Sequence, residues 1–172
     1  MPKLTLSPLT AARLQIPGTD RWYANPGDPA LSVMTDFRER SSVTVSEALP
    51  IDAALEHMKH TGVRCAFAVD EPPRAVVGLI TAYDIMGEKP MRHMQAASIP
   101  RSHVRVKDLM TRLPDMQVVD VKLIERHTVA AVAKLFDESQ LTHIVVTEAD
   151  GQGTQRLRGI LSASKVRRLL SR

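Results

Sequence analysis

Ala75-Val76-Val77-Gly78-Leu79-Ile80-Thr81, running on into Ala82-Tyr83-Asp84-Ile85, is the stretch that decides the fold. It reads as an apolar strand that enters a helix through a threonine, a good N-cap. The pattern returns near the end of the chain as Leu157-Arg158-Gly159-Ile160-Leu161-Ser162, followed by a helix from Ala163 to Leu170. Gly159 follows Gly78 by 81 positions. A strand–helix junction used twice makes internal repetition the first question.

Upstream of each junction the elements also match. Val33-Met34-Thr35 opens the first copy, and Leu109-Met110-Thr111 opens the second, 76 positions later. Val43-Thr44-Val45 answers to Val118 through Leu123. Helices are predicted from about Ile51 to His60 and from about Thr128 to Glu138. Ala54, Leu55 and Met58 share one helical face, as do Val129, Val132, Ala133 and Phe136. Strands then run from Val63 to Val69 and from Leu141 to Thr147, nearly unbroken in apolar residues, which predicts burial on both faces. The spacing drifts where loops absorb it; in the second copy Asp150-Gly151-Gln152-Gly153 is a turn signal.

The expectation is an α/β (α+β) protein, two pseudo-symmetric β-α-β-β-α units packed as one module. Residues 1–30 carry five prolines and few periodic apolar positions, and read as an extended arm with Trp22-Tyr23 as its anchor. The first repeat takes 31–87, a linker with Pro90 and Pro100 takes 88–105, and the second repeat takes 106–172.

Composition narrows the function. Of 172 residues 44% are apolar and only 3% aromatic, so Val, Leu, Ile, Ala and Met fill the core. The formal charge of +4, from 23 basic and 19 acidic residues, is too small and dispersed for a nucleic-acid face. The single Cys65 leaves no internal disulfide and no thiolate cluster, which suits a reducing cytoplasm. No run approaches the ~20 apolar residues that span a bilayer, and the start of the chain lacks an apolar signal region. His57 and His60 sit three apart on a helix, a zinc-compatible spacing with no third ligand at hand. Cys65 has no evident base partner, and no nucleophile–base pair or glycine-rich phosphate loop is present, so an enzyme is not expected.

In their order, twice over, these residues resemble the CBS family, whose tandem pair is called a Bateman module. The first copy carries Met34-Thr35, Met58, Gly62-Val63, Val69-Asp70 and Gly78-Leu79-Ile80-Thr81-Ala82-Tyr83-Asp84. The second carries Met110-Thr111, Leu135-Phe136, His143-Ile144-Val145-Val146 and Gly159-Ile160-Leu161-Ser162. The likeness covers about residues 31 to 170. It departs from the family pattern at Lys165, which stands where an Asp is frequent, and at Phe67 and Val145, which replace a proline.

The resemblance implies a regulatory sensor that binds an adenosine nucleotide, AMP, ADP or ATP, in the cleft between the repeats. It also implies a homodimer that signals in trans to a protein partner the sequence does not name. No cofactor is required, and neither nucleic acid nor membrane is a partner. The alternative is a structural or protein-interaction module with no physiological nucleotide.

Thr81 and Asp84 form the leading candidate site. A carboxylate at a helix start accepts hydrogen bonds from the vicinal hydroxyls of a ribose, and a Thr hydroxyl with free helix N–H groups holds phosphate. The same spacing fits a capping box, in which Asp84 reaches back to the Thr81 N–H. Val118 and Val119 are expected to sandwich a purine. His143 is a candidate phosphate donor, with Arg64 and Thr142 on the same rim. Ser162 and Lys165 are the second copy's equivalents of Thr81 and Asp84; an ammonium cannot accept from ribose hydroxyls but can bind phosphate. Ile85, Met86, Val166, Leu169 and Leu170 are expected to supply apolar faces to the dimer.

Overall fold

The computed structural model describes residues 22–72, 75–150 and 154–171. Most of the N-terminal arm and the centre of the Asp150–Gly153 turn lie outside them. In chain order the elements are β1 (Thr35–Asp36), β2 (Thr44–Ser46), α1 (Ile51–His60), β3 (Cys65–Val69), β4 (Val76–Thr81), α2 (Ala82–Met86) and α3 (Lys89–Ala97). Then come α4 (Val106–Leu109), β5 (Thr111–Arg112), β6 (Val118–Asp120), α5 (Val121–Ile124), α6 (Val129–Ser139), β7 (His143–Ala149), β8 (Gln155–Ser162) and α7 (Ala163–Leu170).

Two four-stranded sheets form, in the orders β2-β3-β4-β5 and β1-β8-β7-β6. Within each, a parallel pair (β2 with β3, β6 with β7) is followed by an antiparallel hairpin. The fourth strand comes from the other copy. β1 pairs with β8, Thr35 opposite Ile160, and β5 pairs with β4, Leu79 opposite Thr111. The opening strand of each repeat therefore completes the other repeat's sheet and ties the halves together.

Alternation along the strands explains their unbroken apolar character. Ala66, Ala68 and Ile80 point into a core with Ile51, Ala54, Met58 and Ile85. Ile144, Val146 and Leu161 point into the equivalent core with Val129, Val132, Phe136, Val166 and Leu169. The residues between them, Phe67, Leu79, Val145 and Ile160, meet across the two sheets. Phe67 and Val145, which break the family pattern, are thus the apolar bodies that join the halves.

Three expectations are corrected. Trp22 does not bury its ring, being 86% exposed, and Tyr23 is 52% exposed. Ala24 and Ala30 enter the core instead, and the backbone does the anchoring. The Ala24 N–H donates to the Leu169 carbonyl, and the Val129 and Ala130 N–H groups donate to Asp28 and Pro26. The arm thus caps the first turn of α6, where Thr128 provides no side-chain cap.

The strand expected from Val118 to Leu123 stops at Asp120. Its Oδ1 accepts from the Lys122 N–H at 2.7 Å and starts α5. Third, of the apolar residues assigned to a dimer face, Ile85, Val166 and Leu169 are buried within the chain, and Leu170 is partly buried. Met86 remains 61% exposed. The linker itself is structured: α3 occupies its centre, and Pro90 in the first turn is compatible with a helix because its missing N–H would lack a partner there anyway.

Candidate functional site

A cleft of about 360 Å³ opens between the halves. This lies within the roughly 300–1,000 Å³ typical of small-molecule sites. The first repeat supplies Leu79 and Thr81 from β4, with Tyr83 and Asp84 from α2. The second supplies His143 and Val145 along β7, with Gln140, Leu141 and Thr142 just before it. Thr111 and the Asp115-Met116-Gln117 segment close one side, and Lys89 from the start of α3 stands over Asp84.

The capping box is present. Asp84 Oδ2 accepts from the Thr81 N–H at 2.8 Å and from Thr81 Oγ1 at 2.7 Å, and the Asp84 N–H lies 3.2 Å from that hydroxyl oxygen. The Ala82 N–H donates to the Arg64 carbonyl. The N–H groups of Thr81, Ala82 and Asp84 are therefore committed within the chain.

Asp84 has a second oxygen. Oδ1 accepts from Lys89 Nζ at 2.5 Å, and the same ammonium lies 3.5 Å from the Leu109 carbonyl. The Asp84 side chain is 13% exposed and that of Lys89 52%. A half-exposed pair of this kind contributes about 0–1 kcal/mol. A ligand that offers donors to Oδ1 displaces it at small cost.

His143 is buried among these groups, with Nδ1 3.1 Å from Thr142 Oγ1. Burial, aided by the Arg64 charge and opposed by Asp84, lowers its pKa to about 4. The ring is neutral at pH 7, so it presents one N–H and one acceptor nitrogen to a ligand rather than a cation to phosphate.

The remaining predicted residues separate. Val118 and Val119 do not line this cleft: Val118 is 41% exposed and Val119 packs on the core beneath α6. Val119 sits opposite Val146 and alternates onto the core face, and Met116 and Gln117, just before β6, take the place foreseen for the valines. Arg64 is exposed and reaches the site through its backbone and its charge.

Ser162 and Lys165 belong to the pseudo-symmetric position. Ser162 Oγ is 3.0 Å from Ser164 Oγ, and Lys165 Nζ is 3.4 Å from both the Met34 carbonyl and Thr35 Oγ1. Nearby, Phe37 meets Phe67 edge to face at 5.7 Å between ring centres. An ion pair of Asp36 with Arg158 lies on the same side. Burial alone would raise the Asp36 pKa, but the Arg38 N–H and the Arg158 guanidinium outweigh it and lower it.

Lys89, Tyr83, Met116, Gln117 and Gln140 were not foreseen. Gln140 carries a faint local signal: it ends α6 in the left-handed region, φ 58°, which leaves its side chain at the cleft mouth. Among the described residues, no group of three or more His, Cys, Asp or Glu side chains is placed to hold a metal ion. Among them also, no helix is long and apolar enough to cross a membrane.

Two β-α-β-β-α units that exchange their opening strands around a shared cleft define a paired-repeat architecture. The CBS-domain family model matches residues 27–90 and 106–172, and the chain belongs to that family. It is similar to CBSX2 solved in complex with AMP, with 23% identity, TM-score 0.54, and coverage of 83% of this chain and 95% of that one. CBSX2 from Arabidopsis thaliana, a CBS-pair protein, matches at 25% identity and TM-score 0.52, over 83% and 93%. An uncharacterized conserved protein from Pyrococcus horikoshii matches at 19% identity and TM-score 0.57, over 87% and 96%. No curated protein matches the sequence.

Proposed function

We propose that this CBS pair is a regulatory sensor that binds an adenine nucleotide in the cleft between its halves and passes the change to a protein partner. The observation that carries this is the Asp84 carboxylate. One oxygen is fixed by Thr81, and the other is held by a displaceable lysine within a cleft of nucleotide size. Leu79, Met116 and Val145 offer an apolar surface to a base, and Gln117 and Gln140 supply donors and acceptors for its edge. The AMP bound by CBSX2, a structural neighbour, supports the same ligand class. Because the opening strands are exchanged, a ligand that shifts one half strains the other, which is how occupancy reaches a partner. The cytoplasm as location and the homodimer as assembly belong to the proposal.

The experiment is a melting series with AMP, ADP and ATP at ~1 mM, followed by calorimetry on any that shift the midpoint. Micromolar affinity, about 8 kcal/mol, is expected for at least one. No shift and no heat with any of them would leave a protein-interaction module as the function. Light scattering that returned a 19.0 kDa particle at high micromolar concentration would overturn the homodimer.

A further inference from the structure

We propose that Lys89 is the specificity-determining residue of the cleft, selecting a phosphorylated nucleoside over the bare nucleoside by moving from Asp84 to the ligand's phosphate. The proposal rests on the adenine-nucleotide reading of this site.

The argument begins with the lone pairs of Asp84. Oδ2 takes two donors from Thr81 and is committed to the start of α2 whatever else happens. A carboxylate oxygen has two acceptor positions, so a ribose diol must bind through Oδ1. Oδ1 is where Lys89 sits, at 2.5 Å. A vicinal diol brings two donors and needs both acceptor positions of Oδ1, so ribose and Lys89 compete for that oxygen. The lysine is half exposed, so the pair it gives up is weak.

What happens to the displaced ammonium decides the selectivity. A neutral nucleoside evicts Lys89 and gives it no new partner. A nucleotide evicts it and supplies an anion in the same cleft. Among the described residues that line the cleft, Lys89 bears the one fixed positive charge, His143 being neutral. Asp84 and Asp115 both bear negative charge. A single lysine in the lining, opposed by Asp115 and with the exposed Arg64 acting only from outside it, matches a monophosphate better than a triphosphate.

Lys89 is also the first residue of α3, joined to α2 through Gly87-Glu88. Its move is thereby registered at the start of the helix that links the two repeats.

Calorimetry of adenosine, AMP and ATP against the full chain and against Lys89→Met tests this. The wild type is expected to bind AMP about tenfold or more tighter than adenosine, the value of one charge-assisted hydrogen bond. Lys89→Met should weaken AMP by about that factor and leave adenosine equal or tighter, so that the preference collapses. Lys89→Arg should keep it. A preference for AMP over adenosine that survives in Lys89→Met overturns the assignment and leaves Lys89 as a surface ion pair. ATP bound as tightly as AMP by the wild type removes the monophosphate preference. A wild type that binds none of the three ligands refutes the nucleotide reading itself, an outcome distinct from either. A melting midpoint for Lys89→Met near the wild type's shows that the fold is intact.

Discussion

A Cβ on Gly78 would lie 2.6 Å from the carbonyl oxygen of Thr111. The same holds at the pseudo-symmetric position, where a Cβ on Gly159 would lie 2.6 Å from the Thr35 carbonyl. Met110 Sδ and Met34 Sδ stand 2.8 Å from the two imagined atoms. These glycines let the exchanged strands β5 and β1 cross the hairpins of the opposite repeat. Gly78→Ala must push the Thr111 backbone away and disturb the pairing of Gly78 with Arg112. We expect a loss of about 1–3 kcal/mol in urea unfolding, the usual cost of overpacking against groups that cannot yield. A midpoint within error of the wild type would show that the crossing strand moves freely.

These glycines are legible as a repeated pattern because a close approach demands a residue without a side chain at the same place in both repeats. The helices and buried strands were legible for a related reason: each satisfies its own period locally. The cleft was less so. Asp84 and Thr81 lie three apart at a junction and announce themselves, whereas Lys89 pairs with Asp84 from beyond Gly87, in a stretch that Pro90 marks as punctuation. Val118 and Val119 lie outside the cleft lining because they belong to β6, where alternation turns Val119 to the core, a register that the apolar run alone does not reveal. The contribution of the arm is not legible because Ala24 and Ala30 enter the core without periodicity, while Trp22 is largely exposed.

Cys65 gives a clean probe of opening. Burial pushes its thiol up to about 12 from the ordinary 9.0. At pH 8 the native chain then holds roughly a thousandth of the thiolate that an exposed cysteine would hold, and the thiolate is the reactive form. Iodoacetamide is expected to modify the native protein orders of magnitude more slowly than the protein in guanidinium. Bound ligand should slow it further, because Cys65 pairs with Thr81 across β3 and β4. Equal rates in native and denatured protein would contradict the burial.

His143 makes stability depend on mild acid. Its native pKa of about 4 lies below the ordinary 6.5, because burial and Arg64 oppose the charged ring more than Asp84 favours it. The unfolded chain therefore takes up a proton on falling below pH 6.5 while the native chain does not. The cost is absent above pH 6.5 and grows as pH falls toward 4, where it reaches about 3 kcal/mol. His143→Gln should flatten the stability profile between pH 6.5 and 4.5. An unchanged slope in that variant would place the acid sensitivity elsewhere.

Asp84 serves the fold and, in our reading, the ligand, and its two oxygens allow the roles to be separated. Oδ2 caps α2 through the Thr81 N–H and hydroxyl, while Oδ1 meets Lys89 at the cleft. Asp84→Ala removes both and should cost about 1 kcal/mol of stability, the usual value of a lost cap. Asp84→Asn keeps an amide oxygen that can accept from Thr81, so its unfolding midpoint should stay within about 0.5 kcal/mol of the wild type's. The asparagine cannot receive the diol with a charged acceptor, and each charge-assisted hydrogen bond is worth on the order of 1.5–3 kcal/mol. AMP affinity in Asp84→Asn should thus fall about tenfold or more with the fold intact. If Asp84→Asn binds AMP as the wild type does while Asp84→Ala is merely less stable, Asp84 is a helix cap alone. Ribose would then have to be held elsewhere in the cleft, at Thr142 or the Gln117–Gln140 edge.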